Sequence, residues 1–280
     1  MVSIIIPCYN QGIYIREAIS SVKAQTYSPI EILIVNDGSD DAETKTILDE
    51  LTGEEYTVIN IKNSGVSVAR NTGIAAAKGE YILPLDADDK IGPEYIAKAV
   101  EVLAKNAVVK LVYCDCEYFG EQTGLTPEPP FSMEGMLSRN IIFNAALMRK
   151  NEFLQSGGYD PAFLQGWEDW DLWLKYIHSE NQVYKIPGVH FFYRLKQGSR
   201  NELVKEQRLQ DCEQQLFKKH IDLFLAHYKK PISMLRDHEV VIEDFKLLDE
   251  YRRKIRQSTS FRLGYFLLSP FIWMRKIIKK

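Results

Sequence analysis

A chain of 280 residues can build one large domain or two small ones around a substantial core. Its 45% hydrophobic and 26% charged content is that of a soluble globular protein. The net charge of −3 is unevenly spread: after Glu250 come nine Lys and Arg and no acidic residue, so the body is acidic, which argues against a nucleic-acid groove. Four cysteines without a CxxC pair point to reduced thiols. The opening "MVSIIIPCYN" has no basic region and only a short apolar run, so it reads as a buried strand and not a signal peptide. No stretch reaches the roughly 18 apolar residues of a membrane-spanning helix.

In chain order, the first 115 residues alternate between two patterns. "VSIIIP", "EILIVN", "YTVINI", "EYILPL" and "VVKLVYC" are short apolar, β-branched runs. Between them lie "YIREAISSVKAQ", residues 42–52, "SVARNTGIAAAK" and a segment opening at Pro93, with the spacing of amphipathic helices. Strands apolar on both faces alternating with such helices predict an α/β fold with a mainly parallel sheet covered on both sides. Residues 116–135, rich in Gly and Pro, lead into a second half of the same domain ending near 200, with a helix at "WEDWDLWLKYIH" and a strand at "VHFFYR". Residues 201–257 read as a charged helical extension. Residues 258–280 form a basic tail with large apolar residues, which reads either as an amphipathic segment on an anionic membrane surface or as a terminal helix docked on protein.

The polar signals fall at one kind of place. "PCYN", "NDGSDD", "KNSG" and "DADD" each follow one of the first four strands. Parallel strands joined by right-handed crossovers end at one sheet edge, where open α/β sheets bind ligands. One Asp after one strand is most simply a helix cap; four clusters at one edge predict a binding crevice. Neither GxGxxG nor GxxxxGK[ST] is present, which argues against a dinucleotide fold or a P-loop. Asp86, Asp88 and Asp89 would repel phosphate, so Mg²⁺ or Mn²⁺ between carboxylate and phosphate is one reading. A solvated, capped turn before the next helix is the other.

Taken in order, "SIIIPCYN", "ILIVNDGSDD", "NSGVSVARNTGIAAAKGEYILPLDADD" and "GWEDWDLW" resemble the family 2 glycosyltransferases of the GT-A fold, such as bacterial polysaccharide and O-antigen transferases, over roughly residues 1–200. The resemblance implies sugar transfer from a nucleotide-diphosphate donor (a UDP-sugar by default), with inversion and Mg²⁺ or Mn²⁺, onto a glycan or lipid-linked acceptor in surface polysaccharide synthesis. The reduced thiols and the basic amphipathic tail fit a cytoplasmic protein, peripheral on the cytoplasmic face of the membrane. The resemblance puts Pro7, Tyr9, Asn10, Asp37, Asn63, Arg70 and Asp86 at the nucleotide, Asp88 at the metal, Asp169 as the base that deprotonates the acceptor, and Glu168 beside it to orient the acceptor. Asp89 stays open between supporting the site and capping a helix. Where many relatives carry His before a "GS" turn, this chain has Lys196, which either replaces that ligand or offers its charge to the diphosphate. Trp170 and Trp173 sit at the spacing of a packed stripe, against the alternative of a sugar platform. Two other functions stay in view: a sugar-phosphate nucleotidyltransferase, disfavoured because "PCYNQGIY" is not Gly-rich, and a non-catalytic carbohydrate-binding protein, which would not need Asp88 and Asp169 together.

Overall fold

The computed structural model describes residues 1–127, 129–164, 166–196 and 206–227. Most of the predicted extension and the whole basic tail lie outside the described residues. The chain forms two compact units, Met1–Ile221 and Asp222–Lys280.

The expected alternation opens the first unit. Strands β1 (Val2–Cys8), β2 (Ile30–Asp37), β3 (Thr57–Ile61) and β4 (Tyr81–Pro84) are separated by helices α1 (Gly12–Lys23), α2 (Ala42–Thr52) and α3 (Val66–Ala76). They lie in the order β3-β2-β1-β4, all parallel, with Val2 opposite Ile30 and Tyr81. The sequence beyond β4 adds β5 (Lys90–Ile91), α4 (Tyr95–Lys105), β6 (Leu111–Gly120), β7 (Gly124–Thr126), α5 (Met133–Ser138), β8 (Leu147–Arg149), α6 (Lys150–Gln155), α7 (Glu168–Tyr176) and β9 (Val183–Leu195). β8 inserts antiparallel between β4 and β6, and β9 then pairs parallel with β6. β6 and β9 therefore keep the direction of β1–β4, and all six point their carboxyl ends to one edge. Two further helices follow, α8 (Glu206–Lys219) and α9 (Ile221–His227).

The alternation of side chains along β1 assigns the two faces. Ile4 and Ile6 join a core with Ile15, Ile19 and Val22 of α1, Leu48 of α2 and Leu103 of α4. The intervening Ile5 meets α3, where Gly73 makes the close approach possible: a Cβ there would fall 2.6 Å from Ile5 Cγ2 and 3.0 Å from Val35 Cγ2. Gly73→Ala should therefore be destabilising by about 1–2 kcal/mol, the overpacking exceeding the gain in helix propensity. A denaturation midpoint equal to that of the parent would refute this. All four cysteines are buried and none forms a disulfide, as the spacing predicted.

α7 is held from outside the sheet. Asp171 is wholly buried and is met by Lys175 at 3.2 Å, Lys219 at 2.8 Å and His220 Nε2 at 2.8 Å. Burial pushes its carboxyl pKa up, but His220 and the lysines outweigh that and hold it at about 2. Lys219 also reaches Asp160 at 2.5 Å. The end of α8 is thus fastened to the middle of α7. Trp170 and Trp173 are core residues, their indole N–H groups donating to the carbonyls of Met136 (2.7 Å) and Ile142 (3.0 Å). The packed-stripe reading holds.

Candidate active site

The four loops after β1–β4 do converge. A cavity of about 370 Å³ is lined by Pro7, Tyr9 and Gln11 from the first loop, Asp37 from the second, Asn63 and Gly65 from the third, and Asp86 and Asp88 from the fourth. α3 adds Arg70. The end of β9 adds Tyr193, Arg194 and, just beyond, Lys196.

Each loop is fixed before any ligand arrives. Asp37 is buried, and its two carboxylate oxygens accept from the backbone N–H groups of Ser64 (2.7 Å) and Gly65 (2.9 Å), locking the loop before α3. Gly38 turns away at φ +68°, and a Cβ there would fall 2.6 Å from the Asn63 nitrogen, so the loop after β2 can lie on the loop after β3 only with glycine. Tyr9 is exposed at the rim. Asn10 departs from its expected place. It adopts φ 54°, and its amide turns to the β2–α2 loop, donating to Asp40 Oδ1 (2.6 Å) and accepting from the N–H of Asp40 (2.9 Å). It does not line the cavity, and its visible work is bracing.

The three aspartates of "DADD" have different surroundings. Asp86 Oδ1 accepts from Arg70 Nη2 at 2.6 Å. Asp88 Oδ2 lies 2.6 Å from Lys196 Nζ. Asp89 is buried and accepts from the backbone N–H of Arg194 at 2.9 Å, while Arg194 Nε donates to the Asp88 carbonyl. Asp89 thus ties the turn to β9, and the cap position of α4 belongs to Glu94. Burial first, then the charges of Asp88 and Asp86, push its carboxyl well above the usual range. The crowded charge is met by one guanidinium at Asp86 and one ammonium at Asp88.

Arg70 is the centre of a second constellation. Its guanidinium is 2% exposed and donates from Nη1 to Glu168 Oε1 at 2.8 Å as well as to Asp86. With the Asn144 amide oxygen turned toward it, Nε and Nη2 also donate there at 3.2 Å. The Tyr159 ring lies 5.2 Å away. Burial works against the charge, but Asp86 and Glu168 overcome it and raise the pKa above the ordinary arginine value. Arg70 therefore joins the cavity wall to the first turn of α7, across 98 residues of sequence.

Glu168, Asp169 and Asp171 all fall in that first turn, where the helix dipole favours carboxylates. Asp169 is half-buried. Its Oδ2 accepts from Asn140 Nδ2 (3.0 Å) and its Oδ1 from the N–H of Trp170 (2.8 Å), so the carboxylate has a set orientation. Trp167, just before it, takes the left-handed φ of 68° that bulky side chains rarely adopt.

The sequence reading missed Gln11, Tyr193 and Arg194. A signal existed: "YRLK" is a further polar cluster after a strand, but β9 has to be known as parallel to β6 before its end counts as the same edge.

The structure thus has a mixed sheet with six co-directional strands, a polar crevice at their carboxyl ends and two carboxylate clusters joined by a buried arginine. Comparison gives the class. The profile described as Glycosyl transferase family 2 matches residues 3–163, and the chain belongs to that family. An uncharacterized glycosyltransferase of Rickettsia prowazekii is 34% identical over 212 residues, covering 71% of this chain and 64% of that protein. The chain thus spans somewhat under two thirds of that relative's length. EpsH of Bacillus subtilis, named as a glycosyltransferase, is 29% identical over 256 residues, covering 89% of this chain and 73% of EpsH. Among solved structures, S. aureus TarS 1–349 in complex with UDP-GlcNAc superposes with a TM-score of 0.61 at 17% identity, covering 73% of this chain and 61% of that one. The complex of the same protein with UDP gives 0.59 at 16% identity, covering 83% and 74%. The fold is the GT-A fold expected from the sequence.

Proposed function

We propose that this chain transfers a sugar, with inversion, from a uridine diphosphate donor to a hydroxyl of a glycan or lipid-linked acceptor in surface polysaccharide synthesis. The observation that carries the reading is the Arg70 bridge, which fixes the donor-cavity wall and the helix bearing Asp169 as one unit. The complexes of TarS with UDP-GlcNAc and with UDP support a uridine donor.

In this reading Pro7 and Tyr9 border the base, and Asp37, held rigid by Ser64 and Gly65, accepts from a pyrimidine N–H. Asn63 closes that side. Asp86, oriented by Arg70, accepts from a ribose hydroxyl. Asp169 takes the proton from the acceptor hydroxyl as that oxygen attacks the anomeric carbon and the bond to the diphosphate breaks. Glu168 is engaged with Arg70, so its part is to hold Asp169 and the acceptor in place.

A divalent cation fits the donor set in a limited sense. No three His, Cys, Asp or Glu residues gather as a cage among the described residues, but Mg²⁺ or Mn²⁺ needs only one or two carboxylates when phosphates complete its shell. Asp88 would supply that carboxylate, with Asp86 beside it on the same wall at the ribose. When bound, such an ion would supply positive charge for the departing diphosphate.

No helix among the described residues is long and apolar enough to cross a membrane. We carry forward from the sequence that residues 258–280 rest on an anionic membrane surface at the cytoplasmic face, which would place the enzyme beside a lipid-linked acceptor.

The test is direct. Incubated with a panel of UDP-sugars and Mn²⁺, the full chain should bind UDP and release it from at least one donor. Absence of UDP binding together with no consumption of any nucleotide sugar would overturn the reading.

A further inference from the structure

We propose that Lys196 is the cation that receives the donor's diphosphate, held ready on Asp88 and turned to the phosphates when a divalent ion takes that carboxylate. The inference rests on the UDP-donor reading and adds to it a route for metal-independent binding.

Three cationic side chains line the cavity among the described residues: Arg70, Arg194 and Lys196. Two are committed. Arg70 is buried, and its donors go to Asp86, Glu168 and Asn144. Arg194 spends Nε on the Asp88 carbonyl and Nη2 on Glu17 at 2.9 Å, and its guanidinium lies between the Tyr14 and Phe119 rings at 4.6 and 4.4 Å. Neither can turn to a ligand without breaking the frame of the site.

Lys196 differs in each respect. Its side chain is 21% exposed, against 2% for Arg70 and 12% for Arg194. Its ammonium meets Asp88 Oδ2 at 2.6 Å and, with the Gln11 amide oriented toward it, the Gln11 oxygen at 3.3 Å. It rests 4.7 Å from the Tyr14 ring centre. A lysine ammonium has three donors on a rotatable four-carbon stem, so it can exchange one acceptor for another at small cost.

The charges then decide two states. With no metal, Asp88 facing a diphosphate would be repulsive, and Lys196 cancels that charge while offering a donor to the phosphates. With a divalent ion on Asp88, the ammonium is displaced by like charge and its nearest anionic alternative is the diphosphate. The cavity keeps a cation beside the phosphates in both states, and binding depends on metal by degree.

Calorimetric titration of the full chain with UDP, in EDTA and in Mn²⁺, tests this. The parent should bind UDP in EDTA and more tightly in Mn²⁺. Lys196→Met should lose about tenfold or more in EDTA, a charge-assisted contact to phosphate, and Lys196→Arg should stay within about threefold of the parent. Asp88→Asn should bind UDP in EDTA at least as tightly as the parent, since it removes a repulsive carboxylate and releases the lysine, and should lose the Mn²⁺ enhancement. Equal affinity of parent and Lys196→Met in EDTA overturns the proposal while the donor reading stands. So does Asp88→Asn weakened in EDTA, which would make the pair a structural tie, or a parent that binds only with Mn²⁺. A parent that binds UDP in neither buffer removes the donor reading and this proposal together.

Discussion

Asp169→Asn is expected to lower the turnover of a UDP-sugar with its acceptor by about 10²–10⁴-fold, the usual worth of a positioned general base. The substitution is isosteric, so UDP affinity should stay within about twofold. The local geometry lets the chemical effect be read cleanly. Both carboxylate oxygens accept an N–H, from Asn140 and from Trp170. An asparagine can satisfy only one of these donors with its single oxygen, so a stability loss of about 1 kcal/mol should accompany the change. That is far too small to account for orders of magnitude in rate. Steady-state kinetics beside UDP titration and thermal denaturation separate the terms. Full turnover in the variant would mean that another group takes the proton, and the assignment of Asp169 would be wrong.

Arg70→Met should cost about 3–5 kcal/mol of folding stability, the range seen when one partner of a buried ion pair is removed. The arginine serves two carboxylates of different exposure. Asp86 is 33% exposed and can regain water, so its share is screened. Glu168 is 2% exposed and cannot, so most of the loss comes from keeping its charge buried without the guanidinium. Lost packing on the Tyr159 ring adds to it. The double substitution Arg70→Met with Glu168→Gln should recover a substantial part of the deficit, because the buried charge is gone, whereas adding Asp86→Asn should recover little. Urea unfolding of the set gives the coupling energies directly. Equal recovery from both second substitutions would show that burial does not set the cost. Activity should fall as well, since Asp86 and the start of α7 lose their common anchor.

Much of this was legible before any coordinates. Within "VSIIIP" and "EILIVN", residues 4–6 and 32–35 are apolar at successive positions because both faces are covered, by α1, α2 and α4 on one side and α3 on the other. Parallel order then brings the four polar loops to one edge. β6 and β9 were expected at "VVKLVYC" and "VHFFYR", but the shortest later strands were not legible for a plain reason. β5 and β8 have two and three residues, too few to show any period, and they exist because neighbouring strands offer unpaired backbone. Asn10 was assigned to the ligand because a polar residue after a strand usually faces the crevice, and only its positive φ turns the amide to the next loop. The family resemblance put Arg70 at the base and ribose, and it does line the cavity. That its charge also holds Glu168 depends on a packing relation that no local pattern encodes.

The fastening of α7 has a consequence for inheritance. The region matched by the family profile ends at residue 163, five residues before α7 begins, so the part of the chain that carries Asp169 lies beyond it. Asp171 draws two of its three side-chain partners from Lys219 and His220. A chimera that took its front from this protein and everything after about residue 200 from a relative would take both partners away from a wholly buried carboxylate, unless the donor segment carried hydrogen-bond donors at the same two places. Helix α7 and the end of α8 therefore have to travel together. The seam for such an exchange lies after residue 221, where the first compact unit closes.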